Sequence, residues 1–303
     1  MRIVSLLPSA TEITFALGLG DDVEAVTDGC DFPAGARRKP VVSRSQLDLP
    51  LTASAVEVDG AVREAVQDGE PLYALDAELI RRIGPDLILT QDLCRVCAVP
   101  TGDVEAALDV LGCHAEVLSL DPHTVEDVLD DIVRVGDRTG RTAEAARLVE
   151  GLRQRIQAVE EQVRGFEAVA TFPLEWLDPP FSGGHWVPDM IVRSGGAPVL
   201  CTPGDHSRPL RWADVASAAP DVVVFMPCGY DLPAAIAGSK TLPAVPELRE
   251  TPAWQSGRVW AVDATAYFSR PGPRIVDGLE LLAWMIHPDA VSPPPAGRAA
   301  TIS

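Results

Sequence analysis

The sequence predicts an α/β protein of two doubly wound lobes joined by a single long α-helix, with a ligand cleft between the lobes. Three observations predict it. Apolar runs suited to buried parallel strands alternate along the chain with helical stretches. The phrase Ile83-Gly-Pro-Asp-Leu-Ile-Leu-Thr90 returns as Ala218-Ala-Pro-Asp-Val-Val-Val-Phe225, each a helix end, a Pro-Asp turn and a strand. Between the two copies, residues 142–166 carry Ala145, Val149, Leu152, Ile156, Val159, Val163 and Phe166 on one stripe whose spacing alternates four and three. At about 1.5 Å per residue that stripe spans roughly 36 Å of helix. Three heptads also suit a coiled coil, but the repeated phrase on either side favours a strut between two similar lobes. The division expected is residues 1–138 for the first lobe, 139–166 for the connecting helix, 167–288 for the second lobe, and 289–303, with its Pro293-Pro-Pro295, as a disordered tail.

The elements follow in order. Arg2 to Leu6 is the first strand, and Pro8-Ser-Ala-Thr-Glu12 opens a helix through a Ser9/Glu12 capping box. Gly18 and Gly20 end that helix, a strand follows at Val23 to Thr27, and Cys30-Asp-Phe-Pro33 is a turn. Residues 40–71 are irregular, with one weak helix near Ala61 to Val66. Asp76 caps a helix to Ile83; strands at Asp86 to Gln91 and Ala115 to Leu120 flank a helix from Asp103 to Leu111. Beyond the strut, Glu167 to Phe172 is a strand. The stretch Leu174 to Asp189 holds too many turn residues for either helix or strand and opens a helix near Val187. Strands at Asp221 to Met226 and Arg258 to Val262 and a helix from Arg274 to Ile286 close the fold.

Bulk composition narrows the function. At 303 residues the chain is long enough for two cores, and 47% hydrophobic with 23% charged residues is ordinary for a globular protein. A net charge of −19 repels nucleic acid and anionic membranes, so both are set aside as partners. No window is apolar enough to span a bilayer, and no signal peptide is visible. The expected location is therefore cytoplasmic, with free thiols and a monomeric protein; a leader removed before residue 1 makes it periplasmic or extracellular.

Ligands of open α/β sheets sit beyond the carboxyl ends of the strands. Those ends carry Pro8-Ser9, Gln91 to Cys97, Pro179 to Trp186, Pro227 to Tyr230 and Tyr267-Phe268, rich in Gly, Pro and aromatics and poor in Lys and Arg. Such a lining suits a large, mostly apolar ligand rather than a phosphate. Trp176, Phe181 and Trp186 suit a core as rings, but Pro-Pro and Gly-Gly give them no periodicity by which to be buried together. Cys94-x-x-Cys97 raises a metal or redox protein, yet no second pair stands at ligand spacing; a plain loop is the simpler reading. Glu175 and Asp178 offer an acid/base pair, against the usual role of an Asp before Pro-Pro as a turn cap. No nucleophile elbow or phosphate loop is present, so no catalytic residue and no resident cofactor or metal is assigned.

The order strand-PSATE-helix, Asp31-Phe-Pro33, PDLIL, long helix, Asp178-Pro-Pro-Phe181, PDVVV and Tyr267-Phe-Ser-Arg-Pro-Gly-Pro-Arg274 resembles the substrate-binding proteins of ABC importers for vitamin B12, ferric siderophores and haem, most of all the cobalamin-binding branch. The likeness covers about residues 2–286. It implies a non-enzymatic binder of a cobalamin-like corrinoid, with a siderophore or haem as the alternative, and a corrinoid- or tetrapyrrole-modifying enzyme as the alternative of another class. The implied contacts are Pro8, Ser9, Asp31, Phe32, Gln91, Asp178, Pro180, Phe181 and Tyr267, to which the strand-end reading adds His185, Trp186 and Tyr230; Gln91 stands where that branch has an aromatic. His185, between two glycines and Trp186, is either a hydrogen-bonding histidine at a helix start or an axial ligand to cobalt. The family implies an importer permease as partner, docked through an acidic residue on each lobe. Glu78 matches the first; Ala213, with Asp214 beside it, stands at the second, which implies weak coupling.

Overall fold

The computed structural model describes residues 1–47, 60–61, 64, 72–92, 99–104, 108 and 114–302. The chain divides into two compact units, residues 1–122 with 129–149 and residues 123–128 with 150–303. Each is an α/β unit built on its own sheet.

In the first unit the sheet order is β4-β3-β2-β1-β5-β6, from β1 (Ile3–Ser5), β2 (Val23–Thr27), β3 (Val41–Ser45), β4 (Tyr73–Leu75), β5 (Leu87–Thr90) and β6 (Glu116–Ser119). All neighbours are parallel except β3 and β4. Its helices are α1 (Pro8–Ala16) and α2 (Ala77–Ile83), with most of α3 (Val125–Arg138) and the first part of α4 (Thr142–Gln162). The first helix begins two residues earlier than the sequence suggests: Leu7 is its N-cap, Pro8 fills the first turn, and the Ser9/Glu12 capping box does not form because both residues lie inside the helix and are buried.

The second unit orders its sheet β12-β11-β10-β7-β8, with β9 also on β7. These strands are β7 (Val169–Leu177), β8 (Pro180–Ser182), β9 (Gly196–Pro198), β10 (Val222–Phe225), β11 (Val259–Val262) and β12 (Ala299–Thr301). Helices α5 (Trp186–Arg193), α6 (Trp212–Ala218), α7 (Leu232–Gly238), α8 (Pro246–Arg249), α9 (Pro252–Gln255), α10 (Ala264–Tyr267) and α11 (Ile275–Ile286) complete it. The core is Phe172, Leu174, Val223, Phe225, Val259 and Ala261 with the helices packed on them.

Both copies of the repeated phrase do what their pattern dictates. β5 and β10 are four residues each, buried throughout and parallel to their neighbours. Each is preceded by a helix that stops on a left-handed residue, Gly84 at φ 54° and Ala219 at φ 45°. The strut also forms: Ala145, Val149, Leu152, Ile156, Val159 and Val163 are all buried. It is α4, which runs from the first unit into the second. Phe166 lies past its end and is 54% exposed.

Three expectations change. The unit division assigns 123–128 to the second unit and falls within α3 and α4, not at residues 138 and 166. The stretch after Phe172 is not irregular: β7 continues to Leu177 and β8 pairs back antiparallel, with a cis Asp178-Pro179 bond at the turn. The tail beyond residue 289 is not disordered: β12 adds antiparallel to β11, Ile302 packs on the core, and Arg298 reaches Asp277 at 3.6 Å. Ala299-Ala-Thr-Ile302 is short but supplies the strand and the apolar anchor that Pro293-Pro-Pro295 obscures.

Candidate ligand site

In the first unit, β2, β1 and β5 are adjacent, so Asp31-Phe32, Pro8-Ser9 and Gln91 come to one edge of the sheet. They are not equally available. Ser9 and Gln91 are buried, Pro8 is half-buried, and Phe32 is 44% exposed at a cis Phe32-Pro33 bond. Asp31 faces Arg37 at 3.7 Å. Cys30 lies beneath, its Sγ 3.0 Å from the Thr11 hydroxyl. Cys94 and Cys97 lie outside the described residues, as does most of the helix expected near Ala61 to Val66.

In the second unit, β7, β10 and β11 are adjacent and deliver Trp176, Tyr230 and the Asp263–Tyr267 segment to one edge. The hairpin sets Trp176 directly across from Phe181, and the Trp176 ring meets Tyr230 edge-on at 6.1 Å. Tyr230 is half-buried, and burial raises its phenol above the ordinary range. Thr265 donates its N–H to the Tyr230 carbonyl at 3.1 Å. Two buried donors here, Trp176 Nε1 and Thr265 Oγ1, have no partner among the described residues. An unpaired buried polar group costs about 1–3 kcal/mol. Tyr267 is half-buried with Arg298 over its ring at 5.0 Å. Asp178 is exposed at the turn and Pro180 is buried. Glu175 accepts from the Gly184 N–H at 3.2 Å.

Two of the expected contacts have partners within the protein. Trp186 is 7% exposed, and its indole N–H is donated to the Phe268 carbonyl at 2.8 Å, so it is a packing residue at the start of α5. His185 does not present its Nε2 freely: that atom lies 3.0 Å from His206 Nδ1. The Gly183-Gly184 pair lets the loop lie flat against residues 205–207; a Cβ at Gly184 would sit 2.2 Å from the Ser207 N. His185 is held there by its own N–H to the Asp205 carbonyl at 2.6 Å and by the Gly204 N–H to its carbonyl at 3.0 Å. It adopts φ 53° and ψ −118°, a strained backbone for a non-glycine residue.

Three imidazoles gather at this point. The ring of His123 stands 5.6 Å from that of His185 and 5.6 Å from that of His206, and the last two are 4.9 Å apart. His123 Nδ1 lies 3.1 Å from the Gly204 carbonyl. A carbonyl only accepts, so Nδ1 carries the proton and Nε2 keeps its lone pair. Burial, with His206 and His123 beside it, lowers the His185 pKa to about 4, so its ring is neutral at physiological pH. Beside the cluster a cavity of about 420 Å³ is lined by Ser182, Cys201, Asp205, His206 and Arg208 among others. Burial, then the Glu175 carboxylate, pushes the Cys201 thiol up to about 12, so it is no thiolate.

Sequence patterns missed Thr265, His123 and His206 as site residues. Nothing around Thr265 distinguishes it from any threonine after a strand. His123 and His206 are 83 residues apart in a chain with five histidines, and only the fold brings them together. Glu78 sits in the first turn of α2, exposed, and pairs with Arg81 at 2.5 Å; Asp214 in the first turn of α6 pairs with Arg211 at 2.6 Å.

A family model described as a periplasmic binding protein matches residues 3–266. The vitamin B12-binding protein of Vibrio cholerae serotype O1 is 25% identical over 288 residues, which cover 92% of this chain and 86% of that protein. Among solved structures, the periplasmic vitamin B12 binding protein of Vibrio cholerae aligns with a TM-score of 0.68 at 22% identity, over 94% of this chain and 96% of that one. A periplasmic heme binding protein from Pseudomonas aeruginosa aligns with a TM-score of 0.74 at 20% identity, over 100% and 98%. At these identities the structural likeness is one of fold.

Proposed function

Because the chain belongs to the periplasmic binding protein family, we propose that it binds a cobalamin-like corrinoid at the strand-end edge that carries Trp176, Phe181 and Tyr230 and does so without turnover. The observation that supports this reading most is the pair of unpartnered donors, Trp176 Nε1 and Thr265 Oγ1, set among Trp176, Phe181 and Tyr230. A corrinoid is a large apolar ring rimmed by amide carbonyls. Its faces suit the aromatic side chains, and its carbonyls suit the two donors. The B12-binding relative in Vibrio cholerae supports the same ligand class. In the first unit, Phe32 and Pro8 are the contacts left open by the burial of Ser9 and Gln91.

Glu175 supports binding rather than acid/base chemistry, since it is engaged by the Gly184 N–H. The natural partner of such a protein is an ABC permease, and family membership favours the exported location over the cytoplasmic one. Coupling is weak in this reading, because Glu78 and Asp214 are each already satisfied by an arginine on or beside their own helix. Asp214 is the third residue of α6 and Glu78 the second of α2, a difference of one place.

The test is a parallel titration of the purified protein with cyanocobalamin, hemin and a ferric hydroxamate, followed by calorimetry and tryptophan fluorescence. The reading expects one saturable site for the corrinoid, tighter than for the other two. Tighter binding of hemin or of the ferric hydroxamate would replace the corrinoid assignment with that ligand.

A further inference from the structure

We infer that a cavity at the amino-terminal ends of the strands of the second unit, walled by Phe166 and Arg258, is a site for a small monocarboxylate with an aromatic body. It goes beyond the corrinoid reading and does not rest on it. Topology separates the two places. Phe166, Gly195 and Arg258 stand just before β7, β9 and β11, which run parallel on either side of β7 and β10. Trp176, Thr265 and Tyr267 come at or after the far ends of β7 and β11. The cavity measures about 320 Å³ and has Phe166, Arg258, Ile286, His287, Pro288 and Asp289 in its lining. That is about ten times the ~30 Å³ that a water takes in the liquid, room for a one-ring acid and too little for a corrinoid. All of these residues belong to one unit.

The charge carries the inference. Arg258 is half-buried, and its Nη2 donates to the Met285 carbonyl at 3.0 Å and the Ile286 carbonyl at 2.7 Å, where the last turn of α11 leaves its carbonyls without helical partners. Its Nε and Nη1 donate to nothing among the described residues, and no carboxylate there stands within ion-pair distance of it. Burial lowers its pKa and Asp221 acts against that, but a guanidinium keeps its charge at any physiological pH. The spare N–H groups are therefore left to water or to an anion. The second observation is the wall. The Phe166 ring is tilted on that of His287 at 5.3 Å and is still 54% exposed. His287 is held fast: it is 8% exposed, its Nε2 lies 3.0 Å from the Gly195 carbonyl, and a Cβ at Gly195 would come within 2.7 Å of that nitrogen. An aryl ring laid against Phe166 gains a ring contact while its carboxylate takes Arg258. Asp289 is exposed in the same lining and opposes a second negative charge, which limits the ligand to one carboxylate. An apolar lining with few polar groups is the usual make-up of a small-molecule site.

The probe is 4-fluorobenzoate, titrated against the full chain at neutral pH and followed by fluorine NMR. One saturable site per chain is expected. The uncharged amide of the same shape, 4-fluorobenzamide, should bind wild-type protein at least fivefold more weakly, because the charge-assisted bonds to the guanidinium are lost. Phe166→Ala and Arg258→Gln should each weaken the acid by at least threefold. Arg258 also closes α11, so should its variant fail to fold, Phe166→Ala and the comparison of acid with amide decide in its place. Saturating cyanocobalamin should leave the probe bound. No saturation at millimolar 4-fluorobenzoate, equal affinity for acid and amide, unchanged affinity in Phe166→Ala, or displacement by cyanocobalamin overturns the site. Cyanocobalamin binding is measured on the same samples. Its absence from wild type removes the corrinoid reading and leaves the carboxylate result standing, and the converse also holds.

Discussion

The proposed ligand contact centres on Trp176. Its ring is braced against Tyr230 and across from Phe181, while its indole N–H has no acceptor among the described residues. Trp176→Phe keeps the ring face and deletes the donor. One neutral hydrogen bond contributes about 0.5–1.5 kcal/mol, so corrinoid affinity should fall roughly threefold to tenfold while the melting temperature of the free protein holds or rises, because a buried unpaired donor is removed. A drop in stability with unchanged affinity would show that the ring only packs.

Asp263 gives a residue-scale prediction in pH. Burial raises its pKa, even though the carboxylate caps α10 through the Ala266 N–H at 2.8 Å. A carboxyl whose folded pKa lies above the unfolded value destabilises its protein in the charged form, and the penalty sets in as pH rises through the ordinary carboxylate range. Asp263→Asn retains the cap. It should stabilise at pH 7 by on the order of half a kcal/mol, discounted for partial exposure, and the gain should vanish near pH 3. Melting curves of both proteins at the two pH values check it.

At the scale of elements, the two copies of the helix-turn-strand phrase differ in one informative place. The left-handed stop before β5 is Gly84; the same stop before β10 is Ala219. A non-glycine residue there pays about 1–2 kcal/mol, partly offset by the greater chain entropy of glycine. Ala219→Gly should therefore stabilise by roughly 0.5–1 kcal/mol, and Gly84→Ala should destabilise by a similar amount. Denaturant unfolding that shifted both variants in the same direction would contradict this reading of the turn. A second element-scale prediction follows from β12. Ending the chain after Pro295 removes the strand paired with β11, the Ile302 anchor and the Arg298 contact on Tyr267. The loss should be on the order of 2 kcal/mol, several degrees in the melting temperature; an unchanged melt would return the tail to the disordered state that its prolines suggest.

The same elements explain what could be read from the sequence. Periodicity and the repeated phrase revealed β5, β10 and the buried stripe of α4, since burial on both faces of a strand or along one face of a helix leaves a regular pattern. The β7–β8 hairpin left none. It turns at Asp178-Pro179-Pro180, and the prolines at the turn read as strand breakers. The tail strand was hidden for the same reason. Trp186 and His185 show the limit at the site: sequence placed both at the right helix start but could not tell which partner each side chain finds, Phe268 for one and His206 for the other.

At the scale of the molecule, a chain of net charge −19 has two α/β units, a helix running from one into the other, and aromatic strand-end edges poor in positive charge. That combination discourages nucleic acids and anionic surfaces and favours an uncharged or weakly charged apolar ligand. Among the described residues no helix is long and apolar enough to cross a membrane. The proposed binding of a corrinoid through the Trp176 edge is tested by a calorimetric titration of cyanocobalamin into wild-type protein and Trp176→Ala. A single site is expected for the wild type and at least a fivefold loss in the variant, in keeping with the ~1–3 kcal/mol carried by a stacked, hydrogen-bonding aromatic contact. No heat with wild-type protein at millimolar cyanocobalamin, or equal affinity in the two proteins, would contradict it.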